Sequence, residues 1–132
     1  MNELPSIPGM DWNPPAPEDA IAALEQRLGQ TLPTNYKQFL QLANGASLSG
    51  GLLLFSTDLI EERNKTWEVQ LYAPGFLAIC GTGAGEAILI LRNGIDSRLF
   101  IVGTGSMTPD MMRELSPSIE QWLNNGCELP DD

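Results

Sequence analysis

Five acidic side chains and one indole are the residues best placed to do chemistry: Asp58, Glu61, Glu62, Trp67, Glu68 and Asp96. Asp58, Glu61 and Glu62 cluster beside Trp67 and Glu68, a grouping that could serve as a metal site, an acid/base pair, a binding patch or a solvated face. The chain has no histidine, and carboxylates from a single turn hold a metal weakly, so no metal is expected and binding is the stronger functional reading. Glu61, Glu62 and Glu68 would then pair with arginines or lysines of a basic partner, with Trp67 as a desolvated anchor. Asp96, at a turn tip, serves similarly or as a plain turn former.

Gly81-Thr82-Gly83-Ala84-Gly85 has the look of a phosphate-cradling loop, but such a loop must open a helix whose N-terminus meets the anion. Ala87 to Leu91 is strand-like instead and no lysine follows, so the glycines read as a hairpin turn, with a small-ligand site there as the lesser reading. Gly103-Thr104-Gly105-Ser106 is weaker still. A serine or cysteine nucleophile needs a base, and without histidine no suitable constellation is visible, so neither an enzyme nor a cofactor is expected. Cys80 sits in an apolar run and Cys127 near the end of the sequence, which favours free thiols in a reducing compartment over a bridge.

Charge excludes further classes. Seventeen acidic against seven basic residues give a net charge of -10, which repels nucleic-acid phosphates and attracts a basic partner. At 132 residues the chain is one domain, large enough to withdraw roughly two thirds of its unfolded surface from water. No apolar run approaches the roughly 18 residues of a membrane span. The start, Met1-Asn2-Glu3-Leu4-Pro5, lacks the features of a secretion signal, which favours a cytoplasmic address.

The elements that must position these residues follow from hydrophobic spacing. Pro5, Pro8, Pro14 and Pro15 predict an extended leader over 1–16 without regular structure, pinned to the body by Trp12 and Leu4. Ile21, Leu24 and Leu28 predict a helix opened by Pro17 and ended by Gly29. Tyr36, Phe39, Leu40 and Ala43 predict a second, opened by Pro33 and stopped by Asn44-Gly45, so the two form a helical hairpin. Ala46 to Gly51 reads as a loop and Leu52 to Phe55 as a buried strand. Ser56 and Thr57 are plausible caps for a helix from Asp58 towards Trp67, and Trp67 to Leu71 suits helix or strand. Phe76 to Cys80, Ala87 to Leu91 and Leu99 to Gly103 predict an antiparallel meander with turns at 81–85 and 93–97. Met111 to Leu115 suits an edge strand or a helical turn, with strand slightly favoured. Ser116 and Pro117 predict the start of a last helix bearing Ile119, Trp122 and Leu123. The fold expected is α+β: an N-terminal helical hairpin on a mainly antiparallel β-sheet, an inserted short helix and a C-terminal helix, as a single domain over 17–126 with an acidic tail at 127–132.

In this order the chain resembles the SUKH superfamily, the group of fungal cell-wall-assembly regulators and many bacterial immunity proteins. The resemblance rests on Ile21, Leu24, Glu25 and Leu28 followed by Gly29; on Leu32-Pro33 with Tyr36, Phe39 and Leu40; on Asn44-Gly45; on Phe76-Leu77-Ala78-Ile79 leading into the glycine turn; and on Ser118-Ile119-Glu120-Gln121-Trp122-Leu123. Where the family often places an acidic residue after that turn, this chain has Glu86. The resemblance implies a non-enzymatic protein that binds and neutralises a cognate toxin, often a nuclease or deaminase, or else a regulatory scaffold without a toxin. It supplies no shared catalytic residues. The partner is therefore expected to be a protein, with neither nucleic acid nor membrane involved, and the chain itself a monomer or weak homodimer.

Overall fold

A computed structural model describes residues 1–92 and 96–130. Among the described residues seven strands form one sheet in chain order, every neighbouring pair antiparallel: β1 (Met10–Trp12), β2 (Ala46–Leu48), β3 (Leu53–Leu54), β4 (Phe76–Gly81), β5 (Glu86–Leu91), β6 (Leu99–Gly103) and β7 (Arg113–Ser116). Five α-helices accompany them among the described residues: α1 (Glu18–Leu28), α2 (Thr34–Leu42), α3 (Thr57–Thr66), α4 (Val69–Tyr72) and α5 (Ile119–Asn124). The α+β class, the helical hairpin and the antiparallel meander are as expected.

The centre of the sheet is buried on both faces because β4 and β5 are apolar at successive positions. Leu77, Ile79, Ile88 and Ile90 join the larger cluster, with Tyr36, Phe39, Leu40, Ile21 and Leu24 from the hairpin and Trp122 from α5. Ala78, Ala87, Leu89 and Val102 join a smaller cluster, closed by Val69, Ala73 and Met107. Each large apolar side chain so buried contributes roughly 1.5–3 kcal/mol. The register of β4 on β5 shifts between Ala78 and Cys80.

The hairpin is tied by polar contacts as well. The Glu25 carboxylate accepts the Leu32 N–H at 2.7 Å and lies 3.5 Å from Lys37 Nζ, so α1 grips the connection into α2. At the C-terminus of α1 the Gly29 N–H returns to the Gln26 carbonyl and the Gln30 N–H to the Glu25 carbonyl, the five-to-two and six-to-one pairing that closes a helix at glycine. Asn35 Oδ1 accepts the Glu120 N–H at 3.2 Å, joining α2 to α5.

Several expectations need correction. The leader is not without regular structure: Met10–Trp12 pairs with Ala46–Leu48, since the five residues between Pro8 and Pro14 keep their N–H groups and the middle three find a partner edge. Trp12 and Leu4 do pack on the larger cluster, Trp12 edge-on to Phe39 at 6.4 Å. Ala46–Leu48, expected as loop, is β2 for the same reason. Pro17 and Pro33 sit just before their helices with extended backbones. Ser116 ends β7 opposite Leu99, and the cap of α5 is Ser118, whose Oγ accepts the Gln121 N–H at 3.1 Å. The stretch 111–115 divides, with a 3-10 turn over Pro109–Met111 and strand from Arg113. Trp67 to Leu71 follows the helical alternative, broken at Glu68. Of the expected 93–97 turn, Asn93, Gly94 and Ile95 lie outside the described residues, as do Asp131 and Asp132 of the tail. Among the described residues no helix is long and apolar enough to cross a membrane.

Candidate protein-binding surface

α3 turns Thr57, Ile60 and Asn64 inward at positions one and two helical turns apart, which leaves Asp58 and Glu62 outside and Glu61 half-buried. Both ends of the helix are anchored. Asn44 Oδ1 accepts the Thr57 N–H at 2.8 Å and its Nδ2 donates to Thr57 Oγ1 at 3.3 Å, so Asn44 caps α3 from outside the helix rather than stopping α2. α2 instead ends at Ala43, whose backbone is already extended. Further along, Asn64 Nδ2 donates to the carbonyls of Ile60 and Ala78, and its Oδ1 accepts the Ala78 N–H, all at 2.8 Å. The buried amide thus satisfies the backbone of β4 beside the register shift.

After α3 the chain reverses at Glu68, which adopts a left-handed backbone with φ of 52°. The one-turn α4 then buries Val69 and leaves Leu71 67% and Tyr72 50% exposed. Leu71 shares a cleft with Glu61 and Glu68, and Tyr72 a hollow with Trp67, so two large apolar side chains are exposed at adjacent positions on either side of this junction. Trp67 stands at the junction. It is half-buried, packs on Phe55 with ring centroids 5.8 Å apart and lies against Gly81, and its outer edge lines a hollow with Tyr72 and Met107.

The expected site residues divide accordingly. Asp58, Glu61 and Glu62 line one shallow hollow with Lys65 and Thr66, while Glu61 and Glu68 line a second cleft with Leu71. Glu61 is held by Arg27 Nε at 2.8 Å, and Glu62 lies 3.6 Å from Arg63 and accepts from Thr66 Oγ1 at 3.3 Å. Asp96 belongs to a different cluster. Its carboxylate takes Arg98 Nη2 at 2.7 Å, and Arg98 continues to Glu114 at 3.3 Å while its guanidinium lies 5.1 Å from the Phe100 ring centre. The bonds from Arg98 hold the Asp96 carboxyl below its ordinary range. Among the described residues no three Asp, Glu or Cys side chains are grouped to hold a metal ion.

The second cleft escaped sequence reasoning. It encloses about 400 Å³ between the end of α1, α3, α4 and the end of β5, with Leu28, Leu71 and Leu77 as its apolar walls. Arg92 reaches into it, donating through one terminal nitrogen to the Leu28 carbonyl, and partial burial lowers its guanidinium from the ordinary value. The exposed pair Leu71-Tyr72 before Pro74-Gly75 was the available signal; the convergence of residues 28, 71, 77 and 92 had none.

The glycine turn is a packed corner. Thr82 Oγ1 accepts the N–H groups of Ala84 and Glu86 at 3.2 and 3.3 Å, and the Thr82 N–H donates to the Glu86 carbonyl, so these three amides of the turn are already bonded. Gly83, at φ of 82°, backs onto Gly51 so closely that a Cβ would lie 2.7 Å from the Gly51 oxygen. A strand follows, as expected of a hairpin. Cys80 and Cys127 are free and buried; burial raises both thiols, that of Cys127 to about 12, which leaves them protonated and unreactive at neutral pH.

Residues 15–125 match the model of the SMI1 / KNR4 family (SUKH-1). The chain is also 38% identical over 90 residues to the uncharacterized protein YnaB of Bacillus subtilis (strain 168), an alignment that covers 66% of this chain and 60% of that relative. The chain therefore spans about three fifths of the length of the curated relative it matches.

Proposed function

The chain belongs to the SMI1 / KNR4 family (SUKH-1), and from that premise we propose that it is a non-enzymatic immunity protein, acting in the cytoplasm by stoichiometric binding to a basic toxin such as a nuclease or deaminase. The observation that carries the reading is the exposed Leu71-Tyr72 pair on α4, with Leu71 sharing a cleft with the carboxylates of Glu61 and Glu68. An apolar centre of Leu and Tyr with a charged border is the usual anatomy of a binding surface. Asp58, Glu61, Glu62 and Glu68 would steer a cationic toxin, and Trp67, fixed by Phe55, would hold the contact in place. The net charge of -10 supports the same steering over longer range.

Co-expression with the reading frame next to this gene tests the proposal. Growth should be restored, the two products should co-purify at equal stoichiometry, and the double substitution Leu71→Asp/Tyr72→Ala should weaken the complex at least about tenfold. The association rate should fall as salt rises from 0.05 to about 0.3 M, since the Debye length shrinks below about 10 Å over that range. A neighbouring product that is harmless, or that never binds, would leave the scaffold reading in its place.

A further inference from the structure

We propose that the cleft between α1, α3, α4 and the end of β5 is a recognition site for a short segment of a partner protein in which a carboxylate stands next to a large apolar side chain. The claim goes beyond neutralisation, because the partner need not be a toxin.

Charge is the first ground. Of the seven basic residues in an otherwise acidic chain, Arg27, Lys65 and Arg92 line this one cleft. Arg27 is occupied by Glu61, whereas Lys65 and Arg92 make no ion pair among the described residues. Arg92 is the more telling of the two. One terminal nitrogen is spent on the Leu28 carbonyl, and its Nε is shielded from water with no acceptor among the described residues. A guanidinium held in this way by a backbone carbonyl is oriented in advance, and its remaining donors match a carboxylate.

Shape is the second ground. Leu28, Leu71 and Leu77 make the walls apolar, and about 400 Å³ accommodates a large side chain together with its neighbouring carboxylate. The apolar surface does not stop inside the cleft: Leu71 on the rim is 67% exposed, while Tyr72, the next residue, lines a separate hollow with Trp67 and Met107. A peptide segment would also cover the outer face of Leu71, whereas a small free acid would fill the cleft and leave that face in water. Glu68, also on the lining, opposes a second negative charge, so the preferred segment carries one acid among apolar residues. Inside the cleft a basic side chain would face Lys65 and Arg92; Asp58 and Glu62, proposed to steer a basic toxin, line a separate hollow outside it.

The test is a selection from a phage-displayed random heptapeptide library against the intact chain. Recovered clones should place a single Asp or Glu next to Leu, Ile, Phe or Trp. The corresponding synthetic peptides should bind at least tenfold more weakly when that acid is replaced by its amide. The same loss is expected with Arg92→Gln, Lys65→Glu or Leu71→Asp, while Asp110→Asn, an exposed acid outside the cleft, leaves binding unchanged. Lys65 and Leu71 are exposed, so their variants keep the readout should Arg92→Gln fail to fold. Basic clones, no clones above background, or peptides indifferent to all three substitutions would overturn the proposal. So would octanoate occupying the cleft where no peptide is selected. Each of these outcomes is separate from whether a neighbouring toxin is neutralised.

Discussion

The Asn44 side chain and the Thr57 backbone form the link on which the orientation of α3 depends: the Thr57 N–H, 2% exposed as a residue, donates to Asn44 Oδ1 at 2.8 Å. The acidic face of α3 is thus set by a residue at the end of a different helix. Asn44→Ala leaves a buried amide without its acceptor and should cost about 1–2 kcal/mol, read as a lower urea midpoint with an unchanged slope. Asn44→Asp keeps the acceptor and should recover part of the loss. Equal stability of the alanine variant would show that the cap is dispensable.

Gly45 beside it has no room for a side chain. Its φ is 84°, and a Cβ would stand 2.5 Å from the Leu54 oxygen of β3. Gly45→Ala combines backbone strain with a backbone clash and should lower stability by at least about 2 kcal/mol. Thermal melts of the two variants side by side check the order, with Gly45→Ala below Asn44→Ala.

Tyr36 points the other way. Its hydroxyl is buried and has no hydrogen-bond partner among the described residues, and burial pushes its titration well above the ordinary range. Tyr36→Phe removes an unpaired polar atom while keeping the ring that stacks on Phe39 at 6.3 Å, so stability should rise by about 1 kcal/mol. A loss of similar size would reveal a partner for the oxygen.

Alkaline pH should act through the thiols. Burial raises Cys127 from the ordinary 9.0 to about 12, and Cys80 is raised as well, by burial first and by nearby Cys127 second. Between these values the folded state holds protons that the unfolded chain releases, so the stabilisation is complete below pH 9.0 and drains away as pH rises towards 12. The denaturation midpoint should be flat from pH 7 to about 8.5 and fall above it, and Cys127→Ala should flatten that decline. In the same range below pH 9, Ellman's reagent should label neither thiol until the chain unfolds.

How much of this was legible in the sequence depended on whether the signal was local. Ile21, Leu24, Tyr36, Phe39 and Leu40 announced the hairpin because helical spacing repeats within a few residues, and the apolar runs of β4 and β5 announced a doubly covered sheet. β1 and β2 were missed because each is three residues long and exists through the pairing of Met10–Trp12 with Ala46–Leu48. Asn44 was read as a helix stop because its true partner, Thr57, lies across a loop and two strands. The acids of α3 group by their spacing along one helix, whereas the place of Asp96, read at a turn tip, depends on its pairing with Arg98 in a different cluster. Arg27, Lys65 and Arg92 come from three distant elements, so only the folded chain shows that they share a cleft.

The two rims of the sheet have a bearing on how the protein behaves when crowded. β1 offers only three residues, bracketed by Pro8 and Pro14, and proline cannot donate to an incoming strand; β7 presents Arg113 and Glu114 outward. Neither rim is a good template for stacking copies edge to edge, so the meander can remain open at both ends without seeding fibrils.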